Sequence, residues 1–225
     1  MALNLKLQLV VVALLVALAR SSAQDDSSNS EQRRTIDISE FLSTVNETPV
    51  VVFGVSISPQ SPQPCKVDIV SHTNKTGTTF DRYTPGASRV RQHRARMSMI
   101  KAHIQGQFIR TGGQGETKLD TMELSSESTP YGEEKILYQS ENDTCAIFRA
   151  RLLYGRDKGS YVDFRVKATA ITDESARKCW DNIEEVVRSM NLPNTDLKFP
   201  AEAIAGCQAQ CNQHVTCKAL STANP

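Results

Sequence analysis

Two strand-forming segments followed by a helix-forming segment constrain the fold of this chain more than any other feature. Residues 144–154 and 160–169 are rich in β-forming side chains, and a glycine-bounded turn joins them, which predicts an antiparallel hairpin. Apolar residues at helical spacing follow and predict an amphipathic helix, with Asp173 as its expected N-cap. Cys145 on the first strand and Cys179 on the helix are placed to bridge the two elements.

The rest of the chain adds six more β-rich segments and one early helical turn around Ile38. We therefore expect a mainly β fold, an eight-stranded antiparallel barrel with a short N-terminal helix and a C-terminal helix packed on the barrel wall. A β-sandwich is the alternative for the same strand count. The eight predicted strands are residues 49–58, 65–73, 78–84, 103–110, 117–126, 134–139, 144–154 and 160–169.

The N-terminus has the pattern of a secretory signal peptide. Lys6 precedes an apolar run at residues 7–19, and small residues at 21–23 fit a cleavage position, so we expect residues 1–23 to be removed. The alternative is a membrane anchor, but about 13 apolar residues fall short of the roughly 20 that a spanning helix needs. The sequence thus predicts a secreted, extracellular protein.

The expected mature chain has a near-neutral charge and one domain. Without Lys6 and Arg20 it carries 24 basic and 25 acidic side chains, a net charge of about −1, which gives no general attraction to nucleic acid or membranes. Residues 24–34 are polar and predict a disordered tail. Residues 35–217 then form the barrel domain with its helix and a cysteine-rich tail, and residues 218–225 a C-terminal tail.

Six cysteines in a secreted chain predict disulfide bonds, with fifteen possible full pairings. A bridge between Cys145 and Cys179 would pin the helix to the barrel wall. The alternative use of the later cysteines is a zinc site, which an oxidising compartment disfavours because it leaves few thiolates. That site would consist of Cys207, Cys211, His214 and Cys217.

Five ordered motifs resemble those of tick salivary lipocalins, the histamine-binding-protein-like family. CAIF at residues 145–148, with the following strand and cysteine-bearing helix, resembles the C-terminal part of that family. TIDISEFLSTV, CKVDIV, IQGQF and KLDTMELSSES precede it in the family's order, so the resemblance covers roughly residues 35–190. It implies a barrel around one small ligand, and it implies that Cys65 pairs with a cysteine after the helix, most simply Cys207. Cys211 and Cys217 would then pair with each other.

Strand alternation predicts which side chains face the barrel interior. If Cys145 points outward to the helix, alternate residues from Ala146 point inward. The resemblance and the helix bridge favour this assignment, whereas the pattern alone fits equally well with its inverse, a solvated face. The predicted inward side chains are Ala146, Phe148, Ala150 and Leu152 on one strand and Tyr161, Asp163, Arg165 and Lys167 on the next.

The interior residues also bear on the ligand. Amine-binding members of the family carry an acidic residue after the strand cysteine and an E-L-(W/Y) triplet on the next strand. Here Ala146 and Asp163-Phe164-Arg165 stand at these positions. A buried Arg165 would largely neutralise Asp163 and repel a protonated amine, so weak amine binding is expected. Arg165 beside Asp163, with Phe108 and Phe148 as apolar lining, suits the carboxylate of a fatty-acid-derived ligand such as a leukotriene.

We therefore expect a salivary protein that sequesters a small host mediator, an anionic lipid rather than a biogenic amine. The first alternative is a protein-binding module that blocks a host defence protein of complement or haemostasis through surface loops. The second alternative is a binder of histamine or serotonin. No catalytic motif is present, and we expect a monomer without enzymatic activity, cofactor, metal, nucleic-acid partner or membrane partner.

Two surface features complete the sequence-based predictions. Three sequons, at Asn46, Asn74 and Asn142, would be open to glycosylation in a secreted chain. The basic stretch from Arg89 to Lys101 is either a solvated loop or a basic rim that attracts anionic ligands to the barrel mouth.

Overall fold

Eight antiparallel strands form a closed barrel in the computed structural model of the protein. Each strand pairs with the next, and β1 pairs with β8, for example Phe53 with Val166 and Gly54 with Arg165. The predicted barrel is confirmed, and the sandwich alternative is wrong because two sheets would leave unpaired edges where β1 meets β8. The strands are β1 Val50–Ser56, β2 Cys65–Thr73, β3 Gly77–Ala87, β4 Met97–Thr111, β5 Lys118–Ser126, β6 Thr129–Gln139, β7 Cys145–Leu152 and β8 Gly159–Lys167.

The structure describes residues 36–44, 48–58, 61, 63–87, 97–111, 118–153, 159–189 and 198–222. The predicted signal peptide, the predicted disordered tail, the sequon residue Asn46 and residues 89–96 of the basic stretch lie outside these residues. Lys101, at the end of that stretch, lies in β4 and forms an ion pair with Asp81 on β3, with 2.7 Å between Nζ and Oδ2.

The hairpin of β3 and β4 is longer than the sequence predicted. The pairing continues to Ala87 opposite Met97, beyond the predicted ends at residues 84 and 103. Backbone hydrogen bonds between the two strands support this extension, and side-chain pattern alone carries little information about them.

In the part of the chain that the structure describes, four α-helices and a short 3-10 helix, Ala168–Ala170, accompany the barrel. The α-helices are α1 Ile38–Phe41, α2 Asp173–Ser189, α3 Ala201–Gln213 and α4 Val215–Thr222. The helices α1 and α2 were predicted. The helices α3 and α4 were missed, since the cysteines that form the buried side of α3 were read as part of a disulfide-rich tail. The expected boundary at residue 217 falls inside α4. The N-cap of α2 is Thr172 and not Asp173, because the Thr172 carbonyl and hydroxyl accept hydrogen bonds from the amides of Ala176 and Ser175.

Helix α1 closes one end of the barrel. Asp37 caps it by accepting hydrogen bonds from the amides of Ser39 and Glu40. Ile38 and Phe41 are buried in the barrel end, and the Phe41 ring lies 5.5 Å from the ring of Phe148 on β7. This helix fills the end of the barrel with apolar side chains.

The outer face of β7 and β8 carries helix α2. Phe164 contacts Trp180 of α2 edge-on, with ring centroids 5.4 Å apart, and Ile183 is buried in the same cluster. Three disulfide bonds connect the helices and the barrel: Cys145–Cys179, Cys65–Cys207 and Cys211–Cys217. The first ties α2 to β7, and the second ties α3 to β2. Among the described residues, no helix is both long and apolar enough to span a bilayer.

Candidate functional site

The barrel interior is the candidate site, and strand alternation decides which side chains reach it. Phe148 of β7 and Asp163 and Arg165 of β8 face inward, while Phe164 faces α2. This agrees with the predicted assignment in which Cys145 points outward to the helix and alternate residues from Ala146 point inward. The inverse assignment is wrong, because a solvated strand face would expose Asp163 and Arg165, which are 0% and 1% exposed.

An internal apolar layer lies next to helix α1. Its side chains expose at most 8% of their surface, the value for Phe108, so the interior is closely filled at this level. Phe108 and Phe148, two of the predicted ligand-binding residues, both belong to it. The layer comprises Ile38, Phe41, Leu42, Val52, Val70, Phe80, Ile104, Phe108, Met122, Leu124, Ile136, Ala146 and Phe148.

Six charged side chains form an ionic layer above the apolar one. They come from four strands. Some lie two residues from an inward side chain of the apolar layer on the same strand, such as Arg82 after Phe80 and Glu134 before Ile136. All six are buried, and the three cations balance the three carboxylates. The ionic layer consists of Lys66 and Asp68 of β2, Arg82 of β3, Glu134 of β6, and Asp163 and Arg165 of β8.

Arg82 forms the most regular pair of the ionic layer. Its Nε and Nη2 atoms donate to the two carboxylate oxygens of Asp68, both at 2.7 Å. Its Nη1 lies 2.8 Å from Oε1 of Glu134. A bidentate pair is a strong and directional contact, so Arg82 and Asp68 hold each other in fixed orientations.

Arg165 has Glu134 as its main partner, with 2.6 Å between Nη2 and Oε1. Asp163, which the sequence suggested as the neutralising neighbour, lies 3.4 Å from the same nitrogen. The shortest ion pair of Asp163 is with Lys66, at 2.7 Å from Nζ. The sequence-based pairing within β8 is therefore secondary to contacts that cross the barrel.

Burial and charge compete in setting the pKa values of these groups. Burial raises the pKa of Glu134, but the neighbouring Arg165, Arg82 and Lys66 outweigh it and hold that pKa well below its ordinary value. Burial lowers the pKa of Lys66, with Asp163 opposing the shift. The carboxylate of Glu134 is thus kept ionised by the three cations around it.

Gly54 on β1 makes room for two of the cations. It is paired with Lys66 on one side and Arg165 on the other. A Cβ atom at this position would lie 2.8 Å from Cγ of Lys66 and 3.5 Å from Cγ of Arg165. The missing side chain lets both long side chains lie across the barrel interior.

A chain of hydrogen bonds runs from the ionic layer to the residues Gln63 and Tyr131. Lys66 Nζ donates to the hydroxyl of Tyr161 at 3.2 Å, and that hydroxyl donates to Oε1 of Gln63 at 2.9 Å. Nε2 of Gln63 donates to the hydroxyl of Tyr131 on β6 at 3.1 Å. Gln63 lies between β1 and β2, so this contact with β6 crosses the barrel.

Protein cations occupy the aromatic faces of the interior. Arg165 lies over the Phe148 ring at 4.1 Å, and Lys66 lies over the Tyr161 ring at 4.8 Å. Arg82 and Lys167 lie in the same way over Phe80 and Phe41. A protonated amine, which needs a carboxylate and an aromatic face, would have to displace a resident cation from both.

Several buried polar atoms of the ionic layer lack a hydrogen-bond partner. They are Nη1 of Arg82, both carboxylate oxygens of Glu134, Oδ1 of Asp163, and Nε and Nη1 of Arg165. Of these, Arg82 Nη1 and Glu134 Oε1 lie at ion-pair distance from opposite charges, and Arg165 Nη1 lies 3.7 Å from Oδ2 of Asp68. Unsatisfied polar atoms in a buried place are costly, so groups that complement them would bind favourably.

Sequence reasoning missed four of the six charged residues, namely Lys66, Asp68, Arg82 and Glu134. A signal was present in CKVDIV, residues 65–70, where charged and apolar residues alternate. The resemblance implied that Cys65 pairs with a cysteine after the helix. If that bond points Cys65 outward, the alternation places Lys66 and Asp68 inside. Arg82 and Glu134 had no comparable marker.

The remaining predicted site residues that the structure describes lie on the surface or in disulfides. Asn74 and Asn142 are exposed at turns, and each side-chain oxygen accepts from the hydroxyl of its sequon threonine, Thr76 and Thr144. The cysteines of the alternative zinc site are all in disulfide bonds. Within the described ranges, no cluster of histidine, cysteine and acidic side chains is arranged to hold a metal ion.

The closed eight-stranded barrel with helices packed on it is consistent with a lipocalin-like fold, a class that fits small-molecule binding. No family model matches the chain, and no curated protein matches it significantly. The resemblance to tick salivary lipocalins therefore stays a prediction that rests on the ordered motifs and on this fold.

Proposed function

We propose that the protein is a secreted barrel of the tick salivary lipocalin type that sequesters an amphiphilic anion, such as a fatty-acid-derived host mediator. The observation that supports this is the position of Arg165. Its guanidinium group lies against Phe148 of the internal apolar layer and belongs to the ionic layer. It thus stands where the head group and the tail of an amphiphile would meet.

The contacts of Arg165 leave capacity for an anionic head group. Nε and Nη1 have no hydrogen-bond acceptor, although the side chain is buried. A carboxylate can accept two parallel hydrogen bonds from a guanidinium group, and such a pair is strong where water is excluded. The tail would lie among the side chains of the apolar layer, which have to move apart because they are closely packed.

A biogenic amine fits this interior less well. Each of the three carboxylates already has a protein cation within 2.8 Å, from Arg82, Lys66 or Arg165. The aromatic rings of Phe148 and Tyr161 carry protein cations as well. A protonated amine would therefore have to displace a protein cation from both its carboxylate and its aromatic ring.

The test is a calorimetric titration of the wild type and of Arg165 variants with arachidonate and a leukotriene. Arg165→Ala should weaken lipid binding by roughly 2 to 5 kcal/mol, at least tens-fold, because the head group loses its partner. Arg165→Lys should recover part of the affinity, since an ammonium group cannot form the bidentate pair. Arg149→Ala is the matched control, as Arg149 is an exposed arginine on β7.

Each variant is checked for folding by circular dichroism before titration. Equal lipid affinity in wild type and Arg165→Ala, or no binding of either lipid to the wild type, would contradict the lipid proposal. Histamine and serotonin are titrated in parallel. Submicromolar affinity for either would favour the amine alternative.

A protein-binding role is the second candidate, and the filled interior favours it. The balanced ionic layer and the closely packed apolar layer make the barrel complete without a ligand. Native mass spectrometry of the secreted protein separates the two candidates. A co-purified small ligand supports sequestration, whereas an empty barrel that captures a complement or haemostasis protein from host plasma supports the second role.

A further inference from the structure

Glu134 is the central carboxylate of the ionic layer. Its Oε1 lies 2.6 Å from Arg165, 2.8 Å from Arg82 and 3.7 Å from Lys66. It is the one carboxylate of this layer that contacts all three cations. A change in the charge of Glu134 therefore changes the electrostatic environment of all three cations of the ionic layer.

The charge balance of the interior limits what can enter it. The ionic layer is neutral, and the described titratable groups around Glu134 are Lys66, Asp68, Arg82, Tyr131, Tyr161, Asp163 and Arg165. Adding one anion to this enclosed set would leave one uncompensated negative charge, which is expensive in a buried place. Neutralising one carboxylate by a proton would restore the balance.

We infer that Glu134 determines the charge of the ligand that this barrel accepts: an anionic head group replaces the Glu134 carboxylate at Arg165, and Glu134 takes up a proton. The ligand thus binds as an anion together with one proton. This inference rests on the proposed function and specifies how the same site accommodates its ligand.

The geometry selects Glu134 over the other two carboxylates. When a ligand takes Arg165, Asp68 keeps its bidentate contact with Arg82, and Asp163 keeps Lys66 at 2.7 Å. Glu134 loses its shortest contact and keeps Arg82 at 2.8 Å and Lys66 at 3.7 Å. Each of these two cations has a nearer carboxylate at 2.7 Å, Asp68 and Asp163 respectively. Burial favours its neutral form, and Arg165 is the strongest of the cations that oppose burial in setting the pKa of this group.

The experiment counts protons by calorimetry of the wild type. Binding is measured at the same pH in buffers of different ionisation enthalpy, so that the difference in heat gives the number of protons taken up. Decanesulfonate is the main probe, because a sulfonate stays ionised and cannot itself take the proton, and arachidonate is the second. We expect uptake of up to about one proton per ligand, and affinity that rises up to tenfold for each pH unit of acidification.

Two variants assign the proton to its site. Glu134→Gln should abolish the uptake, remove the pH dependence and bind the sulfonate at least about tenfold more tightly at pH 8, because the interior becomes cationic. Glu133→Gln is the control, since Glu133 is the partly exposed neighbour on the opposite face of β6. It should leave the uptake unchanged. If Glu134→Gln does not fold, the proton count of the wild type still tests whether the ligand binds together with one proton.

The outcomes separate this inference from the proposed function. Binding of the sulfonate without proton uptake overturns the inference and leaves the proposed function intact, as does uptake that persists in Glu134→Gln. Absence of binding for both probes at every pH overturns the proposed function, and the inference with it.

Discussion

Substitution of Gly54 tests whether the Lys66 side chain crosses the barrel interior past β1 to reach Asp163. In an ordinary strand, replacing glycine with alanine stabilises the protein by roughly 0.5 to 1 kcal/mol, because alanine loses less conformational freedom on folding. At Gly54 the added Cβ would lie 2.8 Å from Cγ and 3.3 Å from Cδ of Lys66. These atoms form the stem of a side chain whose end is fixed by Asp163 at 2.7 Å.

Gly54→Ala should therefore destabilise the fold. Overpacking a closely filled interior costs typically 1 to 3 kcal/mol, which outweighs the entropic gain, so we expect a net loss of about 1 to 2 kcal/mol. Urea denaturation measures this as a lower midpoint at unchanged slope. Lys66 cannot relax freely, because moving its stem lengthens its contact with Asp163.

Gly206→Ala in helix α3 is the matched control. Nothing lies within 4 Å of a Cβ atom at that position, so the same substitution should stabilise the protein by about 1 kcal/mol through helix propensity. A lower free energy of unfolding for Gly54→Ala together with a higher one for Gly206→Ala would support the described interior. Gly54→Ala with stability equal to or above that of the wild type would refute the reasoning, since Lys66 would then not cross the barrel as described.

Two further predictions concern stability. The pKa of Glu134 in the folded protein lies well below its ordinary value of 4.5, so on acidification the unfolded chain is protonated at Glu134 before the folded one. The stabilisation of the fold by the ionised Glu134 is therefore complete above about pH 4.5 and is lost as the pH falls towards the folded pKa. Melting temperatures recorded across the acid range should show this loss, and a Glu134→Gln protein with the wild-type acid profile would contradict it. Replacing Cys145 and Cys179 by alanine opens a bridge of sequence separation 34 and should cost about 4 kcal/mol in the chain-entropy account, measured by urea denaturation. Peptide mapping without reductant that finds either cysteine free would contradict the bridge itself.

The sequence predicted the barrel because the relevant signals are local. A period-two alternation reports a strand with two different faces, and turn residues report where strands end. The segment 65–73 was predicted with the bounds that β2 has. The positions of Cys145 and Cys179 even indicated which face of β7 and β8 lies outside, because a cysteine bonded to a covering helix has to point away from the interior.

The tertiary structure decided the partners of the interior charges. Arg165 and Asp163 are two residues apart on β8, so the sequence suggested that they neutralise each other. Closing the barrel brings Glu134 of β6 and Lys66 of β2 into the same interior, and these become the nearer partners of Arg165 and Asp163. Ion pairs depend on distance through space, and distances between strands far apart in the chain are fixed only when β1 pairs with β8.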